Sequence, residues 1–200
     1  MKTIVLASNN SHKVKEFQTI LSDYIILSLK DIGFLEDIVE DGDTFLDNAL
    51  IKARAIYDFL KEKNLEYDIV ADDSGLCINA LNGDPGVHSA RFAGDHDNQK
   101  NRDKVMRLLK DESDKSAFFI CQLVLLHPDG SYQEFSGTTQ GTILLEERGS
   151  KDFCYDCIFY STELNKTFGE ASEEEKNSVS HRGRAIQKML SYLNQHKNQG

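Results

Sequence analysis

Thr3 to Ala7 is a short β-branched apolar run that closes in a polar knot, Ser8 to His12. Val14, Phe17, Ile20 and Leu21 then recur at helical spacing, so the chain opens as strand, loop and helix. Thr44 with Asp47 three residues on is a capping signal. From it Phe45, Ala49, Ala53, Ile56 and Leu60 define one helical face. Asp68 to Ala71 is a buried strand, halted at Asp72-Asp73-Ser74-Gly75 and resumed from Leu76 to Leu81. Asn98 to Lys110 is a charged helix with Val105, Leu108 and Leu109 turned inward. Ala117 to Leu126, the most apolar run, predicts a central strand, turned by Pro128-Asp129-Gly130 into a partner around Tyr132 to Phe135. Phe153 to Tyr160 also has the pattern of a strand. After a Ser172/Glu175 capping box, a last helix begins past Arg182, with Ala185, Ile186, Met189, Leu190 and Leu193 inside. Alternating strands and helices followed by a hairpin predict an α/β domain with a mixed sheet.

No composition shift, repeat or low-complexity stretch divides the 200 residues, and residues 1–200 are expected to form a single domain. Twenty-three basic against 33 acidic residues leave a net charge of −10, which removes any general attraction for nucleic acid or anionic membrane. No stretch approaches the roughly 20 apolar residues of a membrane span, and the N-terminal apolar run is too short for a signal peptide. Four cysteines in a chain of this length are no disulfide scaffold. Free thiols and a cytoplasmic setting are the expectation.

Five stretches could carry chemistry. The loop Ser8-Asn9-Asn10-Ser11-His12-Lys13 leads into a helix N-terminus, where backbone N–H groups and the helix dipole favour an anion. It reads either as a phosphate cradle or as an ordinary N-cap, and without glycines it is no Walker A loop. Asp72 and Asp73 end a buried strand, which is costly unless a cation or donors meet them. Hard oxygen ligands of this kind suit Mg²⁺, while an Asx turn with Gly75 at positive φ is the structural alternative. The acidic stretch Asp37 to Asp43 could add a ligand or be a solvated turn. Lys176, His181 and Arg182 group donors just before the last helix. Cys154 and Cys157 form a C-x-x-C whose neighbours look extended, without the second pair that zinc needs.

Taken in order, these pieces resemble the inosine triphosphate pyrophosphatase family, the non-standard purine nucleoside triphosphate pyrophosphatases. The blocks are Ala7-Ser8-Asn9-Asn10-Ser11-His12-Lys13 with Glu16; Asp41-Gly42-Asp43-Thr44-Phe45 with Asn48-Ala49 and Lys52-Ala53; and Ala71-Asp72-Asp73-Ser74-Gly75-Leu76. They continue with Pro85 to Gly94, and with Glu174-Glu175-Lys176-Asn177 followed by Ser180-His181-Arg182-Gly183. The resemblance implies two lobes around a nucleotide cleft and a Mg²⁺-dependent homodimer. Its reaction would convert ITP, dITP or XTP to the monophosphate and pyrophosphate, clearing them from the nucleotide pool. It assigns Asp73 as catalytic base and metal ligand, with Glu40 as the second ligand. Ser8, Asn9, Asn10, Ser11, His12, Lys13 and Ser74 fall on triphosphate positions. Phe153, Cys154, Tyr155, Asp156, Lys176, His181 and Arg182 fall on nucleotide-binding positions.

One block departs. The family pattern Gly-Phe-Gly-Tyr-Asp-Pro stands here as Asp152-Phe153-Cys154-Tyr155-Asp156-Cys157. Losing two glycines would reshape that wall if either served positive φ or close approach. The departure keeps two further readings open: a pyrophosphatase of shifted base preference, and a nucleotide-binding sensor without turnover.

Overall fold

The structure, a computed structural model, describes residues 1–94 and 96–196. β1 (Lys2–Leu6) leads through the polar knot into α1 (Ser11–Ile20), and β2 (Tyr24–Leu27) follows almost at once. α2 (Phe45–Glu62) precedes β3 (Asp68–Ile78), and α3 (Asn98–Leu108) precedes the hairpin of β4 (Ser116–Leu126) and β5 (Tyr132–Ile143). Short strands β6 (Phe159–Ser161) and β7 (Lys166–Thr167) lead to α4 (Glu173–Val179) and α5 (His181–His196). The strands pair in the order β2-β1-β3-β4-β5-β6-β7. β1 runs parallel to β2 and β3, and β6 antiparallel to β5 and β7. The result is the mixed sheet with flanking helices that the pattern predicts.

Two compact units share the chain. The first comprises Met1–Asp73, Cys121–Ser136 and the chain from Gly183 on; the second comprises Ser74–Ile120 and Gly137–Arg182. In the first unit, Phe17 of α1, Leu21 just after it, and Ala185, Ile186 and Met189 of α5 pack with Ile4, Leu6 and Val70. A separate cluster there gathers Ala49, Ala53, Ile56 and Leu60 of α2 with Val5, Ile69 and Ala71. Burying a side chain such as Phe17 completely contributes about 1.5–3 kcal/mol. The second unit has its own core, with Val105, Phe119, Tyr155, Phe159 and Phe168 among its members.

Four expectations are corrected. β3 is one continuous strand of 11 residues, not two pieces broken at Asp72 to Gly75. The acidic pair does not stop it because Lys13 and Lys52 meet the carboxylates, and Gly75 is not among the residues at positive φ. β5 extends far beyond Phe135, to Ile143. Phe153 to Ile158 forms turns rather than a strand, since the Ile158 and Phe159 amides both donate to the Tyr155 carbonyl. Leu108 is 42% exposed, whereas Val105 and Leu109, one full turn apart, are buried. β2 carried no clear signal: four residues directly after a helix are too few to show a period.

Candidate active site

The β1–α1 loop is built by its own polar residues. Asn10 is the N-cap of α1, its Oδ1 accepting from the His12 and Lys13 amides at 3.0 and 3.2 Å. The Ser8 hydroxyl oxygen accepts from the Asn10 amide, and Asn9 Oδ1 accepts from the Lys30 amide. The Ser8 and Asn10 oxygens therefore hold the loop itself, and the Asn9 oxygen ties it to the segment at Lys30. Asn9, Asn10, Ser11 and His12 are exposed at the start of the helix, and Lys13 is partly buried. The cap and the cradle are thus compatible: the cap stabilises the turn that presents the remaining donors. Lys13 Nζ pairs with Asp72 Oδ1 at 2.9 Å, which ties this loop to the end of the acidic strand segment.

Asp72 is 1% exposed, and Asp73 lies next to it on β3. Successive strand residues point to opposite faces, so the two carboxylates meet different partners. Lys13 takes Asp72, while Asn48 Nδ2 donates to Asp73 Oδ2 at 3.0 Å and Lys52 Nζ stands 3.8 Å from Asp73 Oδ1. Lys52 also bonds Glu40 Oε2 at 2.7 Å. Asn48 and Lys52 are four residues apart on α2, so both project from one face of that helix. Asn48 Oδ1 accepts from the Gly42 amide at 2.9 Å. A Cβ on Gly42 would come within 2.6 Å of the Asp47 Cβ, so glycine is what lets the acidic loop approach α2 this closely.

The charges in this cluster are mutually tuned. Burial pushes the Asp73 carboxyl above the usual carboxylate range, and Lys52 and Asn48 restrain that rise only in part. Burial works against the Lys52 ammonium, but the charges of Asp72, Asp73 and Glu40 outweigh it and hold its pKa above the ordinary lysine value. A raised aspartate that still accepts from an amide is a stronger proton acceptor than an ordinary carboxylate. Of the acidic stretch Asp37 to Asp43, Glu40 reaches Lys52, while Asp37, Asp41 and Asp43 are exposed.

Among the described residues, no group of three or more His, Cys, Asp or Glu side chains is gathered to hold a metal ion. The Glu40–Asp73 pair still suits Mg²⁺. Both offer hard oxygen donors around one ammonium, and Mg²⁺ commonly binds through one or two carboxylates plus waters and substrate phosphate.

The second unit gathers the aromatic and cationic residues. Lys176 on α4 is buried, pairs with Asp156 Oδ2 at 2.6 Å and lies 3.6 Å from the centre of the Phe153 ring. The Arg182 guanidinium carbon is 5.8 Å from the same ring. His181 stacks on Phe119 with ring centres 4.7 Å apart and planes within 12°. The Tyr155 hydroxyl donates to the Ser89 carbonyl at 2.7 Å, and burial drives its pKa well above the usual phenol value. Phe153, Asp156, Lys176 and Arg182 thus form one cluster, with His181 held in place by an aromatic floor. Ser74 follows Asp73 directly on β3.

All four cysteines are free. Neither Asp152 nor Cys154 has a positive φ. The Cys154 thiol turns toward the Asn98 carbonyl at 3.7 Å and the Asn101 amide at 3.9 Å. Burial pushes it up to about 11 and raises Cys157 as well, so burial favours the protonated thiol at both positions.

Sequence reasoning overlooked the work of Asn48, Lys52, Asn101 and Arg102. Each is a polar residue on the buried side of an amphipathic helix, and that mismatch was the available signal.

The Ham1 family model matches residues 4–192. A Clostridium perfringens protein named dITP/XTP pyrophosphatase is 44% identical over 199 residues, covering 96% of this chain and 98% of that protein. Among solved structures, a HAM1 protein from Coxiella burnetii superposes with a TM-score of 0.86 at 39% identity, covering 98% of this chain and 100% of the other. The Ham1 protein of Staphylococcus aureus gives 0.85 at 37% identity, with the same coverage.

Proposed function

The chain belongs to the Ham1 family, and from that premise we propose that it hydrolyses deaminated purine nucleoside triphosphates such as ITP, dITP and XTP to the monophosphate and pyrophosphate. The observation that carries this reading is the Asp73 carboxylate, raised by burial yet oriented by Asn48 and faced by Lys52.

In the reaction, Asp73 takes a proton from water as the water oxygen bonds to the α-phosphorus, and the bond to the bridging oxygen of pyrophosphate breaks. Asn48 keeps the accepting oxygen in place, and Lys52 offsets negative charge as the proton moves. The α1 N-terminus and Lys13 serve the leaving pyrophosphate. Glu40 and Asp73 are the residues that would hold Mg²⁺, which when bound supplies charge neutralisation on phosphate oxygens.

Base recognition belongs to Phe153, Asp156, Lys176, His181 and Arg182. His181 and Arg182 donate to a 6-oxo group, whereas a 6-amino group is itself a donor and would leave them unmatched. Phe153 offers a ring face for the purine.

We further propose one functional domain over residues 1–200, acting as a homodimer in the cytoplasm, with no nucleic-acid or membrane partner. Among the described residues, no helix is long and apolar enough to cross a membrane. The deciding experiment is incubation with ITP and Mg²⁺ followed by phosphorus NMR. IMP with pyrophosphate is the expected product pair. IDP with orthophosphate, or tight ITP binding with no product, would overturn the proposal. A panel of ITP, XTP, GTP, ATP and pyrimidine triphosphates separates this preference from a shifted one.

A further inference from the structure

Arg102 is 3% exposed on α3, yet its guanidinium makes three separate hydrogen bonds. Nε donates to Glu147 Oε1 at 2.7 Å, one terminal nitrogen to the Cys154 carbonyl at 2.9 Å, and the other to Gln99 Oε1 at 2.7 Å. Burying a guanidinium is expensive unless a carboxylate and further acceptors meet it. Here the carboxylate is itself secured. Gln99 Nε2 donates to Glu147 Oε1 at 2.9 Å, and Lys151 pairs with Glu147 Oε2. The bonds from Lys151 and Arg102 draw the Glu147 carboxyl down to about 2, so the pair stays charged across the ordinary pH range.

The middle bond matters for function. Residues 153–158 are turns, without a strand ladder to fix them. Cys154 stands between Phe153, whose ring faces Lys176 and Arg182, and Tyr155, whose hydroxyl holds the Ser89 carbonyl. Asn101, the neighbour of Arg102, is fully buried and ties the 90–93 segment by donating to the Ala90 carbonyl and accepting from the Ala93 amide. The start of α3 is therefore a clamp on both stretches that frame Tyr155. A planar guanidinium holds carboxylate, carbonyl and amide oxygens in one geometry, which a lysine ammonium does not reproduce. A recognition site needs placement within about 0.5 Å, and a turn without a ladder achieves that only through such tethers.

We propose that Arg102 is a positioning residue for the base end of the substrate: by fixing the Cys154 carbonyl it sets the Phe153 ring against Lys176 and Arg182, and so governs nucleotide affinity and base preference. This rests on reading Phe153 to Asp156 as the base-binding wall.

The test uses the full chain with Arg102→Lys and, as a milder second variant, Glu147→Gln. Three quantities are read: KM and kcat for ITP, the ratio of kcat/KM for ITP over ATP, and the rate of Cys154 alkylation by N-ethylmaleimide, located by peptide mass spectrometry. Cys154 is partly exposed while Cys77, Cys121 and Cys157 are buried, so it reports on this loop alone. For Arg102→Lys the expected result is a KM about tenfold higher with kcat within threefold. The ITP/ATP ratio falls about tenfold and Cys154 alkylates at least tenfold faster. Glu147→Gln moves each readout in the same direction by less. An unchanged KM and base ratio in a folded Arg102→Lys variant overturns the proposal, whether or not alkylation speeds up. So does a parallel loss in which all thiols react, which marks a purely structural role. If wild-type protein turns over no nucleotide, the functional reading has failed instead. The loop-anchoring half then stands if Cys154 alkylates faster in Arg102→Lys than in wild type, and falls if the two rates are equal.

Discussion

Among the described residues, Lys52 is buried in one unit and Lys176 in the other, and the two are set differently. Lys52 lies in the field of three carboxylates, Glu40, Asp72 and Asp73. Lys176 has Asp156 at 2.6 Å and the face of Phe153 at 3.6 Å. The first setting has a surplus of negative charge, so it suits a cation and the phosphate that cation brings. The second, with Lys176 and Arg182 against Asp156, has no surplus of negative charge and offers a flat ring face, so it suits a ring with polar edges. The difference is what the proposed division of labour rests on, with reaction chemistry at one set and choice of base at the other.

The sharpest way to break this contrast is Asp73→Asn. Removing the proton acceptor should lower kcat by about 10²–10⁴-fold while the protein remains folded by circular dichroism. Near-normal turnover would take Asp73 out of its role. Next in size is Lys176→Met, which strands the buried Asp156 carboxylate. Loss of one member of such a pair costs about 3–5 kcal/mol, to be read by urea unfolding, and KM should rise more than kcat falls. If that variant instead lowered kcat alone, the division of labour would be wrong.

Asn48→Ala comes third. A hydrogen bond to a charged group is worth about 1.5–3 kcal/mol, so kcat should fall roughly ten- to hundredfold. Because Asn48 lowers the Asp73 pKa and burial raises it, the acid limb of the kcat/KM profile should move to higher pH in this variant. In the wild type that limb should already lie above the usual carboxylate range. A limb that did not move would place the titrating group elsewhere.

The smallest effect is on stability in acid. Glu147 titrates near 2 in the folded chain, below its ordinary value, so its contribution is present above that ordinary value and drains away as pH falls toward 2. Glu147→Gln should therefore be less stable than wild type at pH 7 and converge with it near pH 2. The contribution is modest because the carboxylate is partly solvated. A constant offset between the two acid-unfolding curves would show that ionisation is not its source.

Much of this was legible from residue order. Periodicity located β1, α1, α2, β4 and α5 from their apolar patterns; the Thr44/Asp47 box caps α2, while the Ser172/Glu175 box caps α4, a separate short helix ahead of α5. The candidate residues were also visible, because carboxylates at a strand position and donors at a helix start are local patterns. Their pairing was not. Lys13 to Asp72 spans 59 residues and Asn48 to Asp73 spans 25, and no local rule selects one distant lysine or amide from many. Asp72 and Asp73 read as a strand break because, alone, they should repel the interior. β3 continues through them because cations arrive from elsewhere in the chain.

Residue order alone therefore determined the element types, the acidic balance and the kinds of group available for chemistry, since these depend on neighbours within a few positions. Only the tertiary structure decided which carboxylate meets which ammonium and how far Asp73 is lifted above an ordinary aspartate. It also decided that Arg102 would hold the loop beside Phe153. Burial and long-range pairing set those outcomes, and both exist only once distant segments have been brought together.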